Sequence, residues 1–355
     1  MKLTHLAKLH AALPAGVDAI LVSNGRNQRW LTGFPFDDGF VFVTRERSYL
    51  LTDSRYIEAA QKGCDPAFTV DTMKGTRKEM FSRLCDENGV KTVLFEDTWV
   101  SCAAYEGYKK WFEGYELAPA GKLLENIREY KDEEEFRKIE AAQSIAEQAF
   151  DHILGYITPE RTEIDVALEL EFFMRSRGAE GISFQTIAVS GSASALPHGV
   201  PRPVKLEKGF LTMDYGALYD GYCSDMTRTV VIGKADADMK ELYDTVLRAQ
   251  LAAEEALRDG ITGAELDKIA RDIIDGGKYK GCFGHSLGHG VGMYIHEAPG
   301  VSGGNKSPIT KGHVITIEPG IYVAGKYGCR IEDMAFFREN GPEVITRCPK
   351  ELIEL

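Results

Sequence analysis

No apolar run in this chain approaches the roughly 20 residues that a membrane-spanning helix needs. The N-terminus, Met1-Lys2-Leu3-Thr4-His5, lacks the apolar core of a secretory signal. A membrane partner is therefore excluded and a cytoplasmic location is expected. A dense Lys/Arg tract is also missing: 54 acidic residues stand against 42 basic ones, a formal net charge of -12. That balance gives no electrostatic footprint for nucleic acid or anionic lipid. Cysteine is sparse and unpatterned. The seven cysteines are odd in number, scattered, and form no Cys-x-x-Cys pair, which argues against a disulfide framework or a thiolate zinc site and leaves them as small apolar side chains. Disorder is excluded as well, since 44% of the residues are hydrophobic and 27% charged, ordinary values for a folded chain.

At 355 residues the chain exceeds what one hydrophobic core usually supports, so two domains are expected. The first third alternates short β-rich runs with helical ones. Strands are predicted at residues 19–22 and 91–95 and a hairpin at 40–51, the pattern of a small α/β unit around a central sheet. Between residues 123 and 135 the composition turns sharply charged and a long helical stretch begins. The boundary is placed near residue 125, giving domains 1–125 and 126–355.

The second domain contains an internal duplication, the feature most able to misassign a fold when missed. In the first copy a helix over about 134–154 precedes Thr162-Glu163-Ile164-Asp165, a capping box that opens a second helix with Val166, Leu170, Phe173 and Met174 on one face. In the second, a helix over about 239–257 precedes Thr262-Gly263-Ala264-Glu265 and a helix with Leu266, Ile269, Ala270, Ile273 and Ile274 on one face. Each copy then presents a Lys-Gly, an apolar strand, and a carboxylate two residues before a glycine. These are Lys208-Gly209 leading to Asp214-Tyr215-Gly216, and Lys311-Gly312 leading to Glu318-Pro319-Gly320. A returning strand in each copy carries a further acid, Asp225 in one and Glu332 or its neighbour Asp333 in the other. Adjacent strand residues point to opposite faces, so the pattern alone does not choose between these last two. Packing of the two copies about an approximate two-fold axis would bring four carboxylates into one cleft. Such a cluster is costly unless cations neutralise it, and with nearby imidazoles it suits a pair of divalent ions.

Of eight histidines, His198, His285, His289 and His296 lie between the hairpins or just before one. His285 and His289 are four apart, as in a helical zinc pair, but Ser286 replaces the expected glutamate and Gly288, Gly290 and Gly292 break helical continuity. The same glycines make only a weak dinucleotide loop, because no capped helix follows them. Taken singly, an acid in a hairpin is more often a turn or surface residue. The joint placement of these residues on equivalent elements of a repeat is what points to metal.

Leu196-Pro197-His198-Gly199, Asp214-Tyr215-Gly216-Ala217, Gly221-Tyr222-Cys223-Ser224-Asp225-Met226-Thr227-Arg228-Thr229, Gly288-His289-Gly290-Val291-Gly292, His296-Glu297-Ala298-Pro299, Ile317-Glu318-Pro319-Gly320 and Arg330-Ile331-Glu332-Asp333 closely resemble the signature of the pita-bread metallopeptidases. Within that group the match is to the Xaa-Pro aminopeptidase and prolidase branch. The resemblance covers essentially the whole chain and is specific in the C-terminal domain. It implies an α/β creatinase-like N-terminal domain and an α+β pita-bread domain with a pseudo-two-fold repeat.

The resemblance also implies Asp214, Asp225, His289, Glu318 and Glu332 as ligands of two divalent ions, with Asp225 and Glu332 bridging. Glu318, His296 and His198 are implied as catalytic residues, and His198, His285, His296 and Arg330 as the substrate-binding ones. Arg330 is two residues from Glu332 and shares its face, where a structural ion pair with a carboxylate is the alternative. A water acidified by the ions would attack the carbonyl before proline, with the proton relayed by Glu318. Oxygen-rich ligation favours manganese, with cobalt, zinc or iron able to substitute, and a homodimer is implied.

A metal-free amidinohydrolase or a non-catalytic peptide-binding protein of this fold would be expected to lack part of the ligand set, and a methionine aminopeptidase normally lacks such an N-terminal domain. In many prolidases a basic residue follows closely on the motif that here reads His296-Glu297-Ala298-Pro299. This chain continues with Gly300, Val301, Ser302, Gly303 and Gly304, and the nearest cation is Lys306. Cleavage of proline-containing peptides as an aminopeptidase is therefore expected, with strict dipeptidase activity as the alternative.

Overall fold

The computed structural model describes residues 4–355. They divide into two compact units, one ending at Ile127 and one spanning Arg128–Leu355.

The first unit is built on a six-stranded mixed sheet in the order Phe68–Thr72, Ser48–Thr52, Gly39–Thr44, Ala19–Val22, Thr92–Phe95, Glu116–Pro119. Ala19–Val22 is apolar throughout and wholly buried, as a central strand covered on both faces must be. It pairs antiparallel with Gly39–Thr44 and parallel with Thr92–Phe95. Phe42, Phe81 and Phe112 fill the space beneath the helices, with the Phe81 and Phe112 rings 4.8 Å apart. The two outer strands went unpredicted because they are largely exposed or half-buried and carry no continuous apolar run.

The second unit repeats one arrangement. In its first half, helices Glu133–Tyr156 and Glu163–Ser176 start from capping boxes at Asp132/Glu135 and Thr162/Asp165. They cover a sheet of Ile187–Ser190, Gly209–Tyr215 and Met226–Ile232. Ala142, Ala146, Phe150, Val166 and Leu170 pack there against Leu211, Met213 and Val230. In the second half, helix Ala237–Glu255 and the Thr262-capped helix Gly263–Asp275 cover a five-stranded sheet that contains Gly288–Gly290, Val314–Ile317 and Asp333–Arg338. Leu242, Val246, Leu266 and Ala270 meet Ile315, Ile317 and Ala335. Each fully buried aliphatic or Phe side chain contributes roughly 1.5–3 kcal/mol.

The returning strands differ from expectation in one respect. Asp225 and Glu332 lie just before the strands Met226–Ile232 and Asp333–Arg338 rather than inside them, because short excursions, Ala217–Cys223 and Gly320–Arg330, interrupt each hairpin ahead of the acid. A cross-half bridge joins the sheets at this level. The Glu332 N–H donates to Thr227 O at 3.1 Å, and Thr229 Oγ1 donates to Arg330 O at 2.9 Å. No described helix is long and apolar enough to cross a membrane.

Candidate metal centre

All nine singled-out site residues line one cavity of about 710 Å3: Asp214, Asp225, His289, Glu318 and Glu332 together with His198, His285, His296 and Arg330. Strand register places them. Asp214, near the end of Gly209–Tyr215, lies opposite Ile187 on one side and Thr227 on the other. Glu318 directly follows Val314–Ile317, and His289 is the middle residue of Gly288–Gly290. That short strand closes on its neighbour only because residue 288 is glycine, since a Cβ there would lie 2.1 Å from Thr316 O. Gly216 is likewise forced, with Ser224 O 1.9 Å from where its Cβ would be.

Donor atoms of Asp225, His289 and Glu332 lie within 4.8 Å of one another. Nδ1 of His289 is 3.1 Å from Gly290 O. A carbonyl can only accept, so Nδ1 carries the proton and Nε2 presents a lone pair. That lone pair faces Asp225 Oδ2 and Glu318 Oε1, each at 3.4 Å. Burial depresses the His289 pKa to about 4, so no proton on Nε2 relieves the repulsion at neutral pH. Burial, reinforced by the charge of Glu332, holds Asp225 well above the usual carboxylate range. Burial with Glu318 does the same to Glu332. Glu318 is pushed up to about 8 by burial, against the opposing pull of Arg330. Asp214 Oδ1 is buried without a hydrogen-bond partner among the described residues. Clustered lone pairs, acids driven toward protonation and an orphaned oxygen are what a divalent-cation site shows when only its protein atoms are considered. The donor set fits oxygen-preferring divalent ions.

Around the acids runs a ring of hydrogen bonds. Arg330, 3% exposed, donates from Nη2 to Asp214 Oδ2 at 2.5 Å and from Nε to Thr227 Oγ1 at 3.0 Å. Its Nη1 reaches the Tyr322 hydroxyl at 2.7 Å and Pro197 O at 3.3 Å. Thr227 Oγ1 in turn donates to Glu332 Oε2 at 2.7 Å. His285 donates from Nδ1 to Ser286 O at 2.8 Å, so its Nε2, 2.9 Å from the Tyr322 hydroxyl, accepts from it. The guanidinium of Arg330 is thus largely committed to protein partners, and both ring nitrogens of His285 are occupied. His198 and His296 are exposed at the cavity, and the His296 ring meets that of His289 at 4.4 Å.

Glu332 and Asp333 turn opposite ways. Glu332 lines the cavity, whereas Asp333 points behind it to Arg228 at 2.8 Å. Thr227 and Tyr322 escaped the reading of the sequence. Thr227 sits two residues beyond Asp225, a spacing that signals a shared face. Tyr322 lies four residues after Glu318, in the next short strand Gly320–Val323, where no periodicity points to it.

Four carboxylates, the His289 imidazole and three further histidines on one cavity wall have the chemistry of a metal-dependent hydrolase. Known proteins agree: the family described as "Metallopeptidase family M24" matches residues 137–339, and "Creatinase/Prolidase N-terminal domain" matches residues 5–130. The chain belongs to metallopeptidase family M24, a membership that implies divalent metal ions. It is 40% identical over 359 residues to the peptidase YqhT of Bacillus subtilis (strain 168), covering 100% of both chains. Among solved structures it resembles an Xaa-Pro dipeptidase from Bacillus anthracis, with TM-score 0.94, 40% identity and 99% of each chain covered. It also resembles an X-Pro aminopeptidase from Thermotoga maritima MSB8, with TM-score 0.92, 36% identity, and 96% of this chain and 98% of that one covered.

Proposed function

We propose that this protein is a dinuclear metallopeptidase that hydrolyses the peptide bond between an N-terminal residue and proline. On this reading residues 126–355 form the catalytic domain and residues 1–125 the creatinase-like domain. The observation that carries the proposal is the convergence of both halves of the repeat on one cavity: Asp214 and Asp225 from one, His289, Glu318 and Glu332 from the other. Two divalent ions, manganese first among the candidates, would be held by these five residues. They would supply Lewis-acid polarisation of the scissile carbonyl and an acidified water. Glu318 takes the proton on a carboxylate oxygen and passes it to the proline nitrogen as the bond breaks. His296 donates a hydrogen bond to the developing oxyanion, and His198 holds the substrate at the cavity edge. Arg330, its donors committed to Asp214 and Thr227, orients those groups, while His285 offers the substrate ring surface rather than a free nitrogen. Proline has no amide N–H, so a pocket without an acceptor at that point selects for it.

Aminopeptidase is favoured over strict dipeptidase by the cavity wall. A dipeptidase must clamp the carboxylate directly after proline, and a fixed cation does this best. Among the described residues Arg330 is the one Lys or Arg lining the cavity, and its guanidinium is largely spent on Asp214, Thr227, Tyr322 and Pro197. Relatives named for each activity exist, so the choice rests on this wall. The test compares kcat/KM for an Xaa-Pro dipeptide and for the same peptide extended by two residues. Turnover of the extended peptide is expected, and activity confined to the dipeptide would assign a prolidase instead. The protein is further proposed to act in the cytoplasm as a homodimer.

A further inference from the structure

Behind the candidate metal centre, on the side the mechanism does not use, lies an arginine that is 1% exposed. Every N–H of the Arg228 guanidinium meets an oxygen. Nε donates to Pro349 O at 3.0 Å, Nη1 to Thr227 O at 2.9 Å and Glu332 O at 2.7 Å, and Nη2 to Asp333 Oδ1 at 2.8 Å and Cys348 O at 2.9 Å. Asp333 also receives Gln250 Nε2 at 3.0 Å and Lys350 Nζ at 2.5 Å, and Lys350 reaches Glu254 at 2.6 Å. The C-terminal residues 348–355 form a strap over this cluster. The Val231 N–H donates to Ile353 O, and the Leu355 N–H donates to Val231 O, both at 2.8 Å.

A buried ionic cluster is rarely the most stable way to fill a core, because desolvation of its charges offsets their attraction. What this one accomplishes is geometric. Glu332 is tied at its N–H to Thr227 O at 3.1 Å, at its carbonyl to Arg228, and at Oε2 to Thr227 Oγ1 at 2.7 Å. Asp225 stands two residues before Thr227 on the same chain segment. The pair Thr227-Arg228 therefore measures the distance between Asp225, from one half of the repeat, and Glu332, from the other.

We propose that Arg228, braced by Asp333, Lys350 and the C-terminal strap, is a positioning residue that fixes the spacing of Asp225 and Glu332 in the metal centre. The inference rests on the reading of those two carboxylates as metal ligands. Lysine at 228 would keep the charge but has too few donors, in the wrong geometry, to serve the same acceptors. Arg228→Lys and Lys350→Met, in the full chain, are compared with wild type and with Glu332→Gln at a temperature where circular dichroism shows each folded. The readouts are manganese(II) affinity by calorimetry, the Tm of the demetallated protein, and kcat and KM at saturating manganese(II). Arg228→Lys should weaken manganese(II) binding by about 10–100-fold and lower kcat at saturating metal with KM little changed, and Lys350→Met should shift both the same way by less. Should Arg228→Lys fail to fold, Lys350→Met carries the test. A lowered Tm with wild-type manganese(II) affinity and kcat would show the cluster to be merely structural and overturn the proposal. If Glu332→Gln loses the metal while the other two retain it, only this inference falls. If Glu332→Gln itself keeps wild-type affinity, the ligand reading falls and takes the inference with it.

Discussion

If the five residues hold divalent ions as proposed, binding must displace protons from the buried acids. Burial holds Asp225 and Glu332 well above the usual carboxylate range and raises Glu318 to about 8, whereas it lowers His289 to about 4. Between pH 6 and pH 8 the imidazole is therefore neutral and ready to coordinate, while Glu318 passes through its own titration and cations that enter must expel whatever protons the buried acids hold. A site that releases one proton gains about tenfold in affinity per pH unit, about 1.4 kcal/mol. Demetallated protein titrated with manganese(II) by calorimetry at pH 6, 7 and 8, in buffers of different ionisation enthalpy, gives both the affinity and the protons released. Binding should tighten at least tenfold per unit with one or more protons released. The stability of the demetallated protein follows the opposite course. Glu318 has a folded-state pKa raised from 4.5 to about 8, so its contribution is whole below about 4.5 and is lost as the pH rises through about 8. The Tm of demetallated protein should accordingly fall across that window, and added metal should restore it most at the alkaline end. Affinity independent of pH between 6 and 8, with no proton release, would refute the assignment of these acids as ligands.

Asp225→Asn and Glu332→Gln should each abolish turnover with loss of bound metal, whereas His198→Ala should keep its metal and lose rate; equal metal loss in the His198 variant, measured by elemental analysis beside kinetics, would make it a ligand. Peptide length should separate the two candidate activities, with the extended Xaa-Pro peptide turned over as well as the dipeptide. Light scattering at micromolar concentration should give about twice the 39.3 kDa chain mass, and a monomer would contradict the proposed homodimer.

The repeat was legible because its signals are local. Capping boxes at Thr162 and Thr262 mark two helix starts without reference to anything distant, and the Lys-Gly to carboxylate spacing recurs on the same element in each half. Convergence of the four acids could be anticipated from that symmetry alone. Orientation could not. Glu332 faces the cavity and Asp333 faces Arg228 because the Glu332 backbone is pinned to Thr227 across the halves, a contact between residues about a hundred positions apart that no local pattern encodes. The commitment of Arg330 to Asp214 and Thr227, more than a hundred positions away, was hidden for the same reason, and that of His285 depends on the Tyr322 hydroxyl, which the Gly320–Val323 and Tyr327–Arg330 hairpin carries to it.

That cross-half contact also bears on why the site needs two copies of one unit. Within either half a strand ends on an acid and its neighbour begins near another, and two carboxylates at that separation suffice at most for a weak, water-rich cation site. Joining the halves at Thr227 and Glu332 doubles the acids, adds His289, and buries Asp225 and Glu332 to 3% and 1% exposure. Burial then works in two directions at once. It makes the cluster of acids electrostatically unfavourable on its own, in line with the raised pKa values of Asp225, Glu318 and Glu332, and it strengthens the hold on any cation that enters by excluding competing water. A site framed by strand ends and a cross-half bridge has little freedom to relieve that repulsion by spreading apart. Occupancy by divalent cations is the remaining way to relieve it without protonating the acids, and the same rigidity keeps the five donor residues in fixed relation to one another.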